Sequence, residues 1–144
     1  MARTPTSAQR NVVAARAGNI CEYCRSPLRY AVQSFECEHI LPASLGGRTT
    51  LENLAFACGG CNRSKAARTV APDPEDGSLT PLFNPRTQTW HEHFAWNFDF
   101  TLVLGVTAVG RATVDALRLN RPGLVNLRRV LIMVGEHPPS IRND

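Results

Sequence analysis

Apolar and polar positions alternate in different rhythms along the chain, and each rhythm predicts a different element. Residues 6–17 are rich in alanine, with Thr6 or Ser7 available to cap them and Gly18-Asn19 to stop them, which predicts a short helix. From Phe35 to Ile40 the alternation predicts a short strand, ending in Glu38-His39-Ile40-Leu41-Pro42. Gly46-Gly47 supplies a turn, and Leu51–Phe56 then runs toward Cys58. Asn62 to Arg68 predicts a helix that carries Asn62 and Lys65 on one side. Residues 69–89 hold Pro72, Pro74, Pro81, Pro85 and a small acidic run (Asp73, Glu75, Asp76), a composition that predicts a loop.

Beyond Trp90, the residues Phe94, Trp96, Phe98 and Phe100 recur at every second position. This predicts a strand with one buried aromatic face, part of the core rather than a platform for stacking bases. Leu102 to Val106 either extends that strand or forms a second one. Thr107 caps a predicted helix through Leu119, with Val109, Thr113, Ala116 and Leu117 facing inward. Pro122 opens another helix through Met133, predicted to bury Leu124, Leu127, Leu131 and Val134. No internal repeat is visible, and the Pro138-Pro139 tail is expected to be loose. The elements predict an α+β fold in one domain, residues 1–144: a core at 21–68, a proline-rich loop at 69–89 and a C-terminal strand and two-helix extension at 90–144.

Composition narrows the classes without choosing among them. With 43% hydrophobic and 19% charged residues the chain has globular composition rather than that of a disordered segment. A formal charge of +4 tilts the balance toward an anionic partner such as nucleic acid. Lys65 is the only lysine; the other basic residues are arginines, which suit bidentate phosphate contacts but equally reflect genome composition. No stretch approaches the apolar length of a membrane span, and residues 1–18 lack a secretory apolar segment, so the expected compartment is the cytoplasm. There, cysteines are expected to bind metal rather than to form disulfides.

Cys21-Glu22-Tyr23-Cys24 and Cys58-Gly59-Gly60-Cys61 are two C-x-x-C pairs. Two thiolates at this spacing in a tight turn can face one ion, and two such turns complete a tetrahedral four-sulfur site whose natural occupant is zinc. The competing readings are buried apolar cysteines, or a redox C-x-x-C, which needs no second pair. Such zinc is structural, with no open coordination position. Cys37 is read as a buried strand residue rather than a fifth ligand.

The run C-x-x-C, E-H-I-x-P, G-G, N-L, C-x-x-C-N-x-x-K over residues 21–68 resembles the HNH endonuclease family in its four-cysteine zinc-binding branch. Leu82-Phe83-Asn84-Pro85-Arg86, with Trp90 and His93-Phe94, is similar to a bacterial subgroup of the same proteins. The resemblance implies a ββα-metal (His-Me finger) core: a two-stranded hairpin packed on a helix that grips one divalent cation. By position it implies that His39 is the general base, that Asn53 orients the hairpin or that base, and that Asn62 is the third motif residue. Glu38 falls where the family places a metal-binding carboxylate or histidine.

Chemistry agrees with these implied roles. Hydrolysing a phosphodiester needs a deprotonated water, which a histidine titrating near neutrality can provide, and a cation to offset charge on the phosphate. The oxygen donors of Glu38 and Asn62 favour Mg²⁺ or Mn²⁺. His93 is the candidate additional ligand, with His91 competing for that place, and Arg63, Lys65, Arg68 and Arg86 are candidate nucleic-acid contacts. The expected function is metal-dependent endonucleolytic hydrolysis of DNA. The alternatives are a zinc-stabilised nucleic-acid-binding module that does not cut, and a zinc-stapled protein-interaction domain. The sequence assigns no base specificity and no oligomeric state, and no membrane partner is expected. One geometric condition stands out: Glu38 and His39 are strand neighbours and point to opposite faces unless the strand ends there.

Overall fold

The computed structural model describes residues 4–140, and its order of elements is helix, ββα core, small hairpin, and a second hairpin with two helices. Helix α1 (Ser7–Arg16) starts with a reciprocal cap: Gln9 N donates to Thr6 Oγ1 at 3.1 Å, and Thr6 N donates to Gln9 Oε1 at 2.9 Å. Its one buried side chain, Val13, packs with Ala17 against Leu54 and Phe56.

Strands β1 (Glu36–His39) and β2 (Leu54–Ala57) are antiparallel, pairing Glu38 with Ala55 and His39 with Leu54. Helix α2 (Gly59–Lys65) follows β2 after a single residue, Cys58, which caps it. The helix therefore begins inside the second cysteine pair, earlier than the sequence predicts, because the Gly59-Gly60 backbone is already helical there. This β1–β2–α2 unit is the ββα core of an α+β fold.

Residues 69–89, predicted as loop, contain a second small hairpin of β3 (Val70–Pro72) and β4 (Leu79–Pro81). Both prolines sit at strand ends, where the lost N–H costs the ladder little. The acidic run forms the hairpin's turn, and Asp73 receives the Arg111 guanidinium through two bonds of 3.0 and 2.9 Å.

A short helix α3 (Trp90–His93) leads into β5 (Phe94–Trp96), which pairs with β6 (Val103–Gly105). Here the aromatic alternation misleads. Phe94 is buried, but Phe98 is 92% exposed and Phe100 is largely exposed. The strand stops at Trp96 because the polar residues between the aromatics make a turn: Leu102 N donates to Asn97 Oδ1 (3.0 Å), Thr101 N to Asp99 Oδ1 (3.1 Å), and Phe100 takes φ 63°.

Helix α4 (Ala108–Ala116) is capped by Thr107, and α5 (Pro122–Met133) opens on its proline. Thr113 and Leu117 are buried as predicted, and so are Leu124 and Leu131. Val134 is not: it lies past the end of α5 and is mostly exposed, while Arg128 takes a buried position on that helix. The main core joins Tyr23, Ile40, Phe83, Trp90, Phe94, Leu117 and Leu124, so both halves share one interior. Among the described residues no helix is long and apolar enough to cross a membrane.

Candidate metal centre and adjoining active site

The four cysteines converge. The Sγ atoms of Cys21, Cys24, Cys58 and Cys61 all lie within 4.8 Å of one another and are buried, and those of Cys24 and Cys58 are 3.7 Å apart. A tetrahedral zinc with bonds near 2.3 Å separates its sulfurs by about 3.8 Å, so the cluster suits that ion. Backbone amides support the sulfurs: Cys61 N donates to Cys58 Sγ at 3.4 Å, and Cys24 N to Cys21 Sγ at 3.5 Å. Burial and the neighbouring sulfurs push the Cys21 thiol up, while the contact with Cys21 holds Cys58 down. Four adjacent sulfurs cannot all ionise without a cation between them.

Arg121, just before α5, completes the centre, and the sequence reading missed it. Its guanidinium reaches Cys58 Sγ at 3.3 Å and Cys61 Sγ at 3.7 and 3.8 Å. Burial acts to lower the Arg121 pKa, but the Cys61, Cys24 and Cys58 sulfurs outweigh it and push it up. Gly60 leaves the space: a Cβ there would come within 2.4 Å of Arg121 Nη2. Only the glycine in the C-x-x-C hinted at a close approach.

The first cysteine pair also exports its two middle residues. Glu22 Oε2 accepts from Phe56 N at 2.8 Å, which ties the turn to β2, and its other oxygen pairs with Arg86. Arg86 is therefore a mostly buried counter-ion of Glu22, and its expected nucleic-acid contact is corrected accordingly. Tyr23 is 1% exposed, meets Phe83 edge-on at 6.4 Å, and donates its hydroxyl to Glu38 Oε1.

Glu38 points inward from β1. Its second oxygen lies 3.3 Å from Lys65 Nζ, and both side chains are almost fully buried. Burial pushes the Glu38 carboxyl up, opposed by Lys65 and the Tyr23 hydroxyl. Lys65 Nζ also donates to Ile40 O at 3.0 Å and approaches His39 O at 3.5 Å. Lys65 is thus an internal cation rather than a surface phosphate contact, because its side chain is buried and Glu38 Oε2, His39 O and Ile40 O surround its ammonium.

His39 lies on the opposite face of the strand, half-buried, with Nε2 2.8 Å from Thr49 Oγ1. Burial lowers its pKa from the ordinary 6.5, and Lys65 adds to that. Asn53 holds the connection between the strands: Oδ1 accepts from Leu41 N (2.8 Å), and Nδ2 donates to Leu41 O (3.0 Å) and Arg48 O (2.9 Å). Gly47 lies so close that a Cβ would stand 1.7 Å from Leu41 O. Asn62 is half-buried on α2, three residues before Lys65 and so on the same side.

The remaining candidates scatter. His93 Nδ1 lies 2.7 Å from Thr107 Oγ1, at the start of α4, with its ring 5.9 Å from that of Phe83. His91 is exposed and edge-on to Trp90. Arg63 is exposed, and Arg68 donates to Ser64 O (2.6 Å) and Ala116 O (3.0 Å), bridging α2 to α4. Cys37 is half-buried on β1, outside the sulfur cluster.

Residues 21–68, a third of the chain, match the model of the HNH endonuclease family. Over these residues the chain is similar to that family, and the four cysteines within the matched segment form a cluster that could hold a metal ion. No curated protein and no solved structure matches the chain.

Proposed function

We propose that the protein is a metal-dependent endonuclease that hydrolyses phosphodiester bonds, with DNA the expected substrate, His39 the general base and the sulfur-bound ion a structural zinc. The observation that carries this reading is the state of His39. If Nε2–H donates to Thr49 Oγ1, the neutral ring keeps Nδ1 bare, free to take a proton from an attacking water. The lowered pKa keeps that ring neutral at physiological pH. Asn53 fixes the loop behind it by binding both Leu41 backbone groups.

The donors for a second cation are carboxylate and carbonyl oxygens, the chemistry of Mg²⁺ or Mn²⁺. Lys65 marks a position where Glu38 Oε2, His39 O and Ile40 O already converge on a positive charge. Glu38 and Asn62 are the residues that would hold the ion, which would supply charge neutralisation at the scissile phosphate; Glu38 and His39 face apart on β1, so both reach one phosphate only because the strand ends at His39. His93, engaged with Thr107, is the weakest member of the expected ligand set. Arg63 and Arg68 remain as surface contacts for the phosphate backbone.

Zinc-loaded protein is expected to nick supercoiled plasmid with Mg²⁺ or Mn²⁺, and His39→Ala to lower the rate by about 10²–10⁴-fold with the fold intact. One observation favours the non-cutting alternative: both Glu38 oxygens are already paired, one with Tyr23 and one with Lys65. In that case the protein would retard DNA in a gel, with salt-sensitive affinity, and leave plasmid uncut across a panel of divalent ions.

A further inference from the structure

Zinc held by four thiolates carries surplus negative charge, and in a buried site that charge needs a partner. The donors nearest the sulfurs are neutral. Backbone amides reach Cys21 Sγ at 3.5 Å and Cys58 Sγ at 3.4 Å, and Ser26 Oγ lies 3.1 Å from Cys24 Sγ. A charged donor comes from outside the segment that matches the family model. Arg121 Nη2 reaches Cys58 Sγ at 3.3 Å, and its Nη1 and Nη2 reach Cys61 Sγ at 3.7 and 3.8 Å.

We propose that Arg121 sets how firmly the chain holds its zinc, by offsetting part of that surplus charge through bonds to Cys58 and Cys61. The idea deepens the reading of the sulfur-bound ion as structural zinc and rests on it, not on cleavage. Three observations support it. The guanidinium is aimed from behind, since Nη1 also donates to Leu117 O at 3.2 Å and Arg118 O at 3.1 Å, at the end of α4. Gly60 keeps the approach open: a Cβ there would stand 2.4 Å from Nη2 and 2.8 Å from Cζ. Arg128, on α5, brings a second cation to the other cysteine pair, with Nη2 3.4 Å from Cys24 O. A planar fork that is always charged can span two sulfurs at once, which a lysine ammonium does less well. Groups that hold a metal's ligands from outside orient them and tune their charge. Zinc retention in the matched segment therefore depends on the C-terminal extension, which supplies both arginines.

Two variants remove this contact by different routes. Arg121→Met deletes the charge and the donors. Gly60→Ala leaves every sulfur and the arginine in the chain but drives the guanidinium off them. Its backbone cost is small, because Gly60 lies within α2 and the atoms its methyl would meet are the far end of a flexible side chain. In full-length, zinc-loaded protein, competition with a chromogenic zinc chelator should show each variant binding zinc about 10–100-fold more weakly than wild type. The double variant should bind no more weakly than either single one, since both remove the same contact. Cobalt in place of zinc distinguishes this role from simple packing. A thiolate that loses an N–H donor gives up electron density to the metal more readily. The sulfur-to-cobalt charge-transfer band should therefore move to longer wavelength in both variants.

Wild-type zinc affinity in both variants, or weaker binding with an unmoved cobalt band, overturns the proposal and leaves the zinc cluster standing. Wild-type protein that takes up neither zinc nor cobalt overturns the cluster reading and the proposal together. If Arg121→Met does not fold, Gly60→Ala, which retains all four cysteines, decides alone.

Discussion

Residues 21–68 and residues 90–137 are equal in length and differ in what holds each together. The first segment has short strands, a seven-residue helix and a buried cluster of four sulfurs. The second has two longer helices and stacked aromatic rings: Trp90 lies 5.0 Å from Phe94 and 5.4 Å from Trp96. The first region carries a cluster of sulfurs that could hold a metal, beside the apolar residues it shares with the main core; the second is stabilised by apolar burial without such a cluster. They meet through guanidinium groups. Arg121 reaches from the start of α5 to the Cys58 and Cys61 sulfurs. Arg128 reaches from the middle of α5 to Cys24 O (3.4 Å), Leu119 O (2.7 Å) and Thr101 O (2.9 Å). The C-terminal extension is therefore an outer support for the metal centre as well as a covering for the core.

The largest effect should come from removing the ligands of the first region. Cys58→Ser, or chelation of the metal, is expected to cost on the order of 10 kcal/mol of apparent folding energy, enough to unfold the ββα core. Hydrogen exchange should show protection lost across β1, β2 and α2, while part of the far-ultraviolet helix signal from α4 and α5 survives. A chelated protein whose β1–β2 amides stay protected would mean that the sulfurs are not a folding site.

Cutting the link between the regions comes next. Arg128→Met leaves three backbone carbonyls without their buried donor and removes one of the two donors to Asn120 Oδ1, Val103 N remaining. The expected loss is about 3 kcal/mol or more, read as a shift of the urea midpoint. If the loss is under ~1 kcal/mol, α5 is only a cover and the two regions are energetically independent.

This link also marks where the sequence stopped being readable. C-x-x-C spacing encodes a metal cluster locally, because each turn must aim two sulfurs whatever surrounds it. Helix α5 was legible from Pro122 to Met133 because its apolar positions recur with helical period. Arg121 and Arg128 were not legible, since a guanidinium is buried only when distant oxygens or sulfurs surround it, and no local pattern announces those partners. The same holds for Lys65 and Arg86, which looked like surface charges until Glu38 and Glu22 turned out to face them. The aromatic repeat failed for a different reason. Periodicity counted Phe98 and Phe100 but ignored Asn97 and Asp99, whose side chains bond nearby backbone N–H groups and turn the chain. For the candidate site, the motif singled out His39, Asn53 and Asn62, but the partners Tyr23 and Thr49 came only with the fold.

A smaller, more local change separates the regions further. In Gly47→Ala the new methyl would meet Leu41 O at 1.7 Å, so the backbone between Leu41 and Gly47 must shift. The expected cost is about 2 kcal/mol. Its mark should be local: faster amide exchange from Ile40 to Asn53 and reduced cleavage, with α4 and α5 unchanged. Equal loss of protection in α5 would show that the hairpin loop and the C-terminal helices unfold together.

The smallest expected effect is on pH, and each region has a histidine to report it. His39 and His137 both lie below the ordinary 6.5, each chiefly through burial, with Lys65 acting further on His39 and Arg128 on His137. Well above 6.5 both rings are neutral whether the chain is folded or not, and they contribute no pH dependence. As pH falls through 6.5 the unfolded chain takes up protons first, so the fold loses stability until pH passes the lower, folded values. The acid limb of cleavage should therefore lie below 6.5, since His39 keeps Nδ1 available there. His137 Nε2 contacts Phe100 O at 2.8 Å, and that carbonyl favours the charged ring, opposing burial. His137→Gln should flatten the stability profile between pH 5 and 7 without moving the cleavage limb. Profiles of kcat/KM and of melting temperature on the two proteins separate these effects. A cleavage limb at or above 6.5 would show that His39 is not the base that burial and Lys65 have prepared.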